Sequence, residues 1–491
     1  MALPSEIYSV GSVRAIDGRA IDEAGISGYT LMTRAAQATL AHAMAAFPDA
    51  KRWQIACGAG NNAGDGYALA RLAGQQGIAV SVMAIVPPDS LTGDAATAYM
   101  DFAAEGGMHV DWQGEFDAEA SLLVDALLGS GLARPVEGEF AEAVNAINTH
   151  AAAVLALDIP TGIHGDSGEV MGVAVKADLT VTFVGLKTGL YLGDAPGFVG
   201  ELKFSDLELP PECRRDEPAR MRRIDDKLVR DCLPPRPKNA HKGDFGHLLV
   251  IGGGPGMPGA IALCAEAGLR CGAGRVSIAT HADHHSAIAA ARPELMCHAI
   301  RSASDLEQLM QKATTLVIGP GLGTSEWGTE FFAAAMISDL PKVLDADALN
   351  LLSASDIRRD DWILTPHPGE AARLLKSTAA DIQRNRLAAL GSLQDQYAGT
   401  IVLKGSGSLV SSADATPWLC TGGNPGMAAP GMGDVLAGVI GALLAQGLSA
   451  EHAAVAGVEV HARAGDLAAV AGERGMMAGD LMPYLRQAVN F

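Results

Sequence analysis

Short apolar runs recur along the chain, each ending in a Gly-rich or polar turn and followed by a longer stretch with helical spacing. In the first half, residues 14–47 are Ala-rich with a helical pattern broken at 25–28, and runs at 53–57, 80–85, 122–125, 154–158 and 179–183 read as strands. The run at 53–57 feeds the turn GAGNNAGDG (58–66) and then a helix, the opening βα unit of a doubly wound sheet. The alternation predicts a parallel sheet with helices on both faces, a Rossmann-like three-layer αβα domain. A second α/β pattern follows, with strands expected at 247–251, 275–279, 316–318, 343–345, 362–365, 400–404 and 408–412. Residues 435–444 are apolar throughout, with small residues and no Pro, and read as a buried helix. Between the two patterns, 210–237 is rich in Pro, Arg and acids. No sheet strand is expected there, only a solvated linker with a short helix at 225–231.

Composition sharpens this picture in three ways. A chain of 491 residues is too long for one ordinary core, so two domains are expected: 1–215, a linker at 216–237, and 238–491. Net charge is −20 and no long basic run occurs, which argues against nucleic acid as a main partner. Phosphates must then be bound locally, by backbone N–H groups, Lys or metal. The seven cysteines (57, 213, 232, 264, 271, 297, 420) form no CxxC pair and read as reduced thiols of a cytoplasmic protein. The start MALPSEIYSVGS lacks a signal-peptide pattern, and no apolar run reaches the roughly 18 residues of a membrane span.

The candidate chemistry sits at the ends of the predicted strands. TGGNPGMAAPGMGD (421–434) runs into the apolar helix, and a Gly-rich turn at a helix start is an anion site. Asp434 at that junction has two readings. It deprotonates a hydroxyl that attacks a phosphoryl group, or it simply caps the helix. In the first half three strand ends are polar: Asn61-Asn62, Asp125 and the run Asp158-Ile159-Pro160-Thr161. Asn62, Asp125 and Thr161 offer hard oxygen ligands for K⁺ or Mg²⁺, which would leave Asp158 for proton transfer. The alternative is that they cap helices and form Asx turns. His367 is flanked by Pro366 and Pro368, which fix its backbone for ligand contact or for a structural role. Lys404 enters the turn Gly405-Ser406-Gly407-Ser408, a possible phosphate cradle that is not a Walker loop. Met257, Met427, Met432, Met476 and Met477 read as packing.

Together these motifs carry a resemblance. GAGNNAGDG, DALLGSGLARPVEG (125–138), DIPTGIHGDSGEVMG (158–172) and ADLTVTFVGLKTGL (177–190) are similar to the epimerase domain of the bifunctional NAD(P)H-hydrate repair enzymes. HKGDFGHLLVIGGGPGMPGA, ARPELM, VIGPGLG, DADALN, TPHPGEAARLL, LKGSGS and GNPGMAAPGMGDVLAG occur in the order of that family's dehydratase domain, which resembles ribokinase-like folds. The likeness covers residues 10–215 and 225–488.

The resemblance implies an epimerase at 1–215 and an ADP-dependent dehydratase at 238–491, using K⁺ and Mg²⁺ respectively. K⁺ would be held by Asn62, Asp125 and Thr161. In the epimerase, hydrated NADH or NADPH would be bound by Asn61, Asn62, Ala63, Gly64, Asp65 and Asp158. A second loop would join them: Gly129, Ser130, Gly131, Leu132, Ala133, Arg134 and Pro135. In the dehydratase, Ala260, Gly323, His367 and Asp434 would contact the hydrate, and Lys404, Gly405, Ser406, Gly407, Ser408 and Gly433 the ADP. Asp434 and Asp158 would be the catalytic acids and bases. A homotetramer is also implied. Departures from the family pattern are Ala63 for Gly, whose methyl should narrow its loop, Thr161 for Ser, Ser408 for Thr, and Ala429-Pro430, where Pro430 removes one N–H from the anion loop. Two other readings fit parts of the sequence: a ribokinase-like small-molecule kinase, and a non-catalytic nucleotide- or RNA-binding N-terminal module that regulates it.

Overall fold

The computed structural model describes residues 3–413 and 415–490. The chain divides between Met221 and Arg222 into two compact units.

The first unit opens with α1 (Val10–Asp22) and α2 (Gly28–Ala46), capped by the hydroxyls of Ser9 and Ser27. Seven of the strands that follow form one sheet: β1 (Arg52–Cys57), β2 (Ala79–Ala84), β3 (His109–Asp111), β4 (Leu122–Ala126), β5 (Ala153–Leu157), β6 (Leu179–Phe183) and β7 (Glu201–Ser205). They lie in the order β3-β2-β1-β4-β5-β6-β7, all parallel. Ile55, Val82, Val124, Leu155 and Val181 are buried because helices cover both faces. Chain order reverses between β1 and β4, so the connections after these strands leave toward opposite faces and open a crevice at their carboxyl ends. The turn expected at 58–66 is shorter than its composition implied. Gly60 at φ 82° caps α3 (Asn61–Gln75), so Asn61 to Asp65 already form a helical turn. Ala63 is fully buried in the apolar core, so its methyl does not narrow a loop.

The second unit carries β8 (His247–Ile251), β9 (Arg275–Thr280), β10 (Met296–Ala299), β11 (Thr315–Ile318), β12 (Lys342–Leu344), β13 (Trp362–Leu364), β14 (Thr400–Leu403), β15 (Leu409–Ser411) and β16 (Trp418–Leu419). Their order is β10-β9-β8-β11-β12-β13-β14-β15-β16, parallel up to β14 and antiparallel beyond it. The linker expectation needs correcting. Met221–Arg223 is a strand whose Arg222 and Arg223 pair with Trp418 and Leu419 of β16. That partner lies far along the chain, so charge-rich composition gave no local sign of pairing. The short helix is present at Asp226–Cys232.

The apolar run forms α9 (Met432–Ala445), buried from Val435 to Ala445. It packs between α6 (Pro258–Arg270) and α10 (Ala450–Ala469) and against the sheet. Glycine sets the approach. A Cβ on Gly438 would stand 2.0 Å from the Cys264 carbonyl oxygen of α6, and one on Gly441 2.4 Å from Val317. By contrast, Gly391, inside the helix α8 (Arg386–Tyr397), faces open space. Ala is favoured over Gly in a helix by about 0.5–1 kcal/mol, whereas overpacking costs about 1–3 kcal/mol or more. Gly391→Ala is therefore expected to raise, and Gly438→Ala to lower, the unfolding temperature of this unit in calorimetry. Equal effects of the two would mean that the α6–α9 contact is not close.

Candidate functional site

In the first unit a cavity of about 870 Å³ opens at the carboxyl ends of the strands, lined among others by Asn61, Asn62, Asp65, Asp158 and Lys187. The loop from Gly129 to Arg134 forms its opposite wall, while Pro135 does not line it. Asp158 follows β5 at φ 67°, a left-handed conformation that a non-Gly residue adopts only under constraint. Two groups hold its carboxylate. Lys187 Nζ donates to Asp158 Oδ1, as does the Thr182 hydroxyl at 3.2 Å. Lys187 is 1% exposed and also donates to Thr182 Oγ1 (3.0 Å) and to the Phe183 carbonyl (2.9 Å). Around this pair burial raises two further acids. Asp17 is pushed up to about 6, and Asp65 well above the usual carboxylate range with Asp158 adding repulsion. Asp17 and Lys187 were not singled out by sequence reading. Lys187 stands inside a recognised motif, but its approach to Asp158 arises only from the pairing of β5 with β6.

Asp125 and Thr161 meet beneath the cavity. The Thr161 N–H donates to Asp125 Oδ2 at 2.8 Å and its hydroxyl to Oδ1 at 2.7 Å, while the Leu128 N–H donates to the Thr161 hydroxyl at 2.9 Å. Asp125 is fully buried, and burial pushes its carboxyl up to about 6 against these hydrogen bonds. Asn62 faces the Gly129 turn, with both carboxamide atoms buried and without a hydrogen-bond partner. The orphaned Asn62 carboxamide oxygen at the Gly129 turn, and the carboxylate and hydroxyl of the Asp125–Thr161 pair that the preceding Leu128 N–H bonds, are the hard oxygen donors that suit a weakly hydrated cation such as K⁺. Among the described residues no group of three or more His, Cys, Asp or Glu side chains is arranged to hold a metal.

In the second unit the polar groups gather at the carboxyl ends of β12, β13 and β14. Lys404 Nζ donates to Asp345 Oδ1 at 2.6 Å and stands 3.8 Å from Glu370 Oε2. The Thr365 hydroxyl donates to the same Asp345 oxygen at 2.8 Å. Burial pulls Lys404 down, but Asp345 and Glu370 outweigh it and leave its pKa raised. Gly433 closes on this pair: a Cβ there would lie 3.1 Å from Lys404 Nζ and 3.5 Å from Asp345 Oδ2.

Asp434 is not the helix cap. Gly431, left-handed at φ 89°, caps α9 with no side-chain bond, and Asp434 lies in the first helical turn. Among the described residues the N–H groups of Gly433 and Asp434 donate to no acceptor, so Asp434 stands at an open, positive helix end. Pro430 precedes the turn, and the helix supplies these donors without it. Burial, then repulsion from Asp345, pushes the Asp434 carboxyl up to about 7 despite Lys404.

His367 caps α7 (Pro368–Leu374): its Nδ1 accepts from Gly369 (3.0 Å) and Glu370 (3.3 Å), while the Glu370 carboxylate accepts from the His367 N–H (2.8 Å). Burial and Lys404 lower its pKa, and its Nε2 stands 3.4 Å from Glu370 Oε1. Ala260 on α6 lies beside Gly321, and the Gly323 N–H donates to Asp347 Oδ2 at 2.8 Å. In the 404–408 turn, the Ser408 hydroxyl donates to the Gly405 carbonyl at 3.2 Å. Asp345, Asp347 and Glu370 lie inside motifs quoted above, yet none was assigned a role from sequence.

Two family models match the chain: "NAD(P)H-hydrate dehydratase" over residues 248–487 and "YjeF-related protein N-terminus" over 28–189. The bifunctional NAD(P)H-hydrate repair enzyme of Coxiella burnetii is 46% identical over 485 residues, 99% of each chain. A ribokinase-like superfamily protein from Enterococcus faecalis superposes with a TM-score of 0.52 at 27% identity, covering 55% of this chain and 95% of that one. An ADP/ATP-dependent NAD(P)H-hydrate dehydratase from Bacillus subtilis, co-crystallised with ATP and Mg²⁺, gives 0.50 at 28% identity, over 54% and 96%. With both halves matched and one relative aligned end to end, the chain belongs to the bifunctional NAD(P)H-hydrate repair enzymes.

Proposed function

We propose that this chain repairs hydrated NADH and NADPH at two sites. The first unit interconverts the R and S forms at C6, and the second dehydrates the S form with ADP, giving AMP and phosphate. The observation that carries the second step is Asp434, a carboxyl raised to about 7 at an open helix N-terminus beside Lys404.

Hydroxide leaves C6 poorly, and phosphate leaves well. Asp434 takes the proton of the C6 hydroxyl, whose oxygen bonds to the β-phosphorus of ADP as the bond to AMP breaks. The ring nitrogen then expels phosphate from C6, and loss of a proton from C5 restores the dihydronicotinamide. Lys404 and the N–H groups of Gly433 and Asp434 stabilise the charge on the transferring group. Mg²⁺ carried in on the nucleotide would spread that charge further. ADP over ATP as donor belongs to this reading. A ribokinase-like kinase would instead release a stable phosphate ester, so the product distinguishes the two.

In the first unit Lys187 and Thr182 occupy one oxygen of Asp158, which leaves the other for proton transfer to and from the hydrate in the cavity. K⁺ held by Asn62, Asp125 and Thr161 would supply positive charge beside that substrate. The loop from Gly129 to Arg134 and the side chains of Asn61, Asn62 and Asp65 bind it. The family reading carries a homotetramer with it. Seven free, mostly buried cysteines support a cytoplasmic setting, and no helix among the described residues is long and apolar enough to cross a membrane.

Asp434→Asn is expected to bind ADP normally but to lose about 10²–10⁴-fold in dehydration of hydrated NADH, followed by recovery of reduced-nicotinamide absorbance. Wild-type kcat/KM should fall on the acid side with a midpoint near pH 7, because the protonated carboxyl cannot accept the hydroxyl proton. Near-wild-type turnover of the variant would rule out the base. Asp158→Ala should abolish epimer exchange in a chiral assay and leave dehydration of the S form intact. Exchanging K⁺ for a bulky organic cation should likewise slow epimer exchange alone; an equal loss of both activities would count against a K⁺ site in the first unit.

A further inference from the structure

We propose that Arg386 is the positioning residue that turns residues 404–408 into an anion cradle for the polyphosphate of the nucleotide. The inference rests on the nucleotide-dependent reading of this site. Arg386 opens α8 and is 4% exposed. One guanidinium nitrogen donates to the Ser406 carbonyl, and the other to those of Leu403 (3.1 Å) and Lys404 (3.3 Å). The carbonyl between them, Gly405, accepts from the Ser408 hydroxyl. Four consecutive carbonyls, from Leu403 to Ser406, are thus engaged from within the protein.

In a planar trans peptide the N–H points away from the C=O. Drawing these carbonyls inward therefore turns the following N–H groups outward. Those of Gly405, Ser406 and Gly407 donate to no acceptor among the described residues. Gly405 (φ 148°) and Gly407 (φ 70°) adopt backbone angles that only glycine takes without strain. Successive outward N–H groups make an anion-binding concavity.

The charge balance points the same way. Arg386 has no carboxylate partner among the described residues, and its Nε is buried without a hydrogen bond. Burial pulls its pKa down to about 10, so it remains a cation at neutral pH. A buried cation surrounded only by carbonyls lacks a counter-charge. Lys404 cannot serve, being itself cationic and paired with Asp345. A phosphate on the far side of the loop supplies the missing charge, and the loop transmits it.

The test measures ADP and AMP binding to the full chain by calorimetry, alongside the KM for hydrated NADH. Arg386→Lys keeps the charge but cannot reach three carbonyls. It should weaken ADP about 10–100-fold, as expected for losing charge-assisted hydrogen bonds, and AMP distinctly less. The KM for the hydrate and the epimer exchange should stay within about twofold, below a 1 kcal/mol change. Gly405→Ala, whose Cβ would lie 3.0 Å from the guanidinium, should reproduce the ADP-selective loss and decides the matter if Arg386→Lys fails to fold. Unchanged ADP affinity, or an equal loss for ADP, AMP and the hydrate, overturns the proposal. Wild-type protein that binds ADP in this manner yet fails to restore hydrated NADH would overturn the functional reading and leave the positioning role standing.

Discussion

A lysine ammonium enclosed at the carboxyl end of a strand must be neutralised, and much of the second unit follows from how Lys404 meets that requirement. Its full partner is Asp345 at 2.6 Å, with Glu370 at 3.8 Å as a weaker one. These acids come from segments following β12 and β13, so the ion pair ties three adjacent strand ends to one point. A Cβ on Gly433 would crowd Lys404 Nζ at 3.1 Å, because the start of α9 closes on that pair. Asp434 is raised first by burial and then by repulsion from Asp345, against the attraction of Lys404, and keeps its proton to about pH 7. The proposed base is thus tuned in part by the acid that neutralises Lys404.

The first unit meets the same requirement with different parts. Lys187, buried after β6, is neutralised by Asp158 after β5. The neighbouring acids Asp17 and Asp65 are raised just as Asp434 is in the second unit. In both units a Lys–Asp pair links parallel strands at their carboxyl ends, adjacent ones in the first unit and β12 with β14 across β13 in the second, where the helix connections leave room for a ligand. The difference lies in what surrounds the pair. The second unit adds an open helix end and a glycine turn, which suit phosphate. The first adds an orphaned carboxamide and a buried carboxylate, which suit a cation.

This division explains what could be read from sequence. Alternating apolar runs and glycine turns are local signals, so most strands and the buried helix were legible within a residue or two. The edge strands His109–Asp111, Glu201–Ser205 and Met296–Ala299 and the two-residue Trp418–Leu419 were not, because short, half-polar strands lack an apolar run. Met221–Arg223 was hidden because its pairing is non-local. Among candidate site residues, those beside glycine turns stood out: Asn62, Asp158, Lys404 and Asp434. Their partners did not. Lys187, Asp345, Glu370 and Arg386 matter through contacts spanning 17 to 59 positions, and a single charged residue in an ordinary stretch carries no trace of such a contact. Asp434 was legible as important but not in its geometry. Whether it caps the helix or lies inside the first turn depends on the left-handed conformation of Gly431.

That geometry carries a thermodynamic consequence. A cap residue accepts hydrogen bonds from the helix, is stabilised as an anion, and adds stability as pH rises. Asp434 does the reverse. Its carboxyl is raised from 3.8 unfolded to about 7 folded. The stability of the folded state is therefore greatest below pH 4, as far as this group is concerned, and is lost progressively as pH climbs through 7. The ionised form that the proposed reaction needs is the form that burdens the fold. An amide in its place relieves that burden at alkaline pH and removes the proposed base with it. An acid at this helix start is therefore accounted for by the proposed chemistry and not by folding.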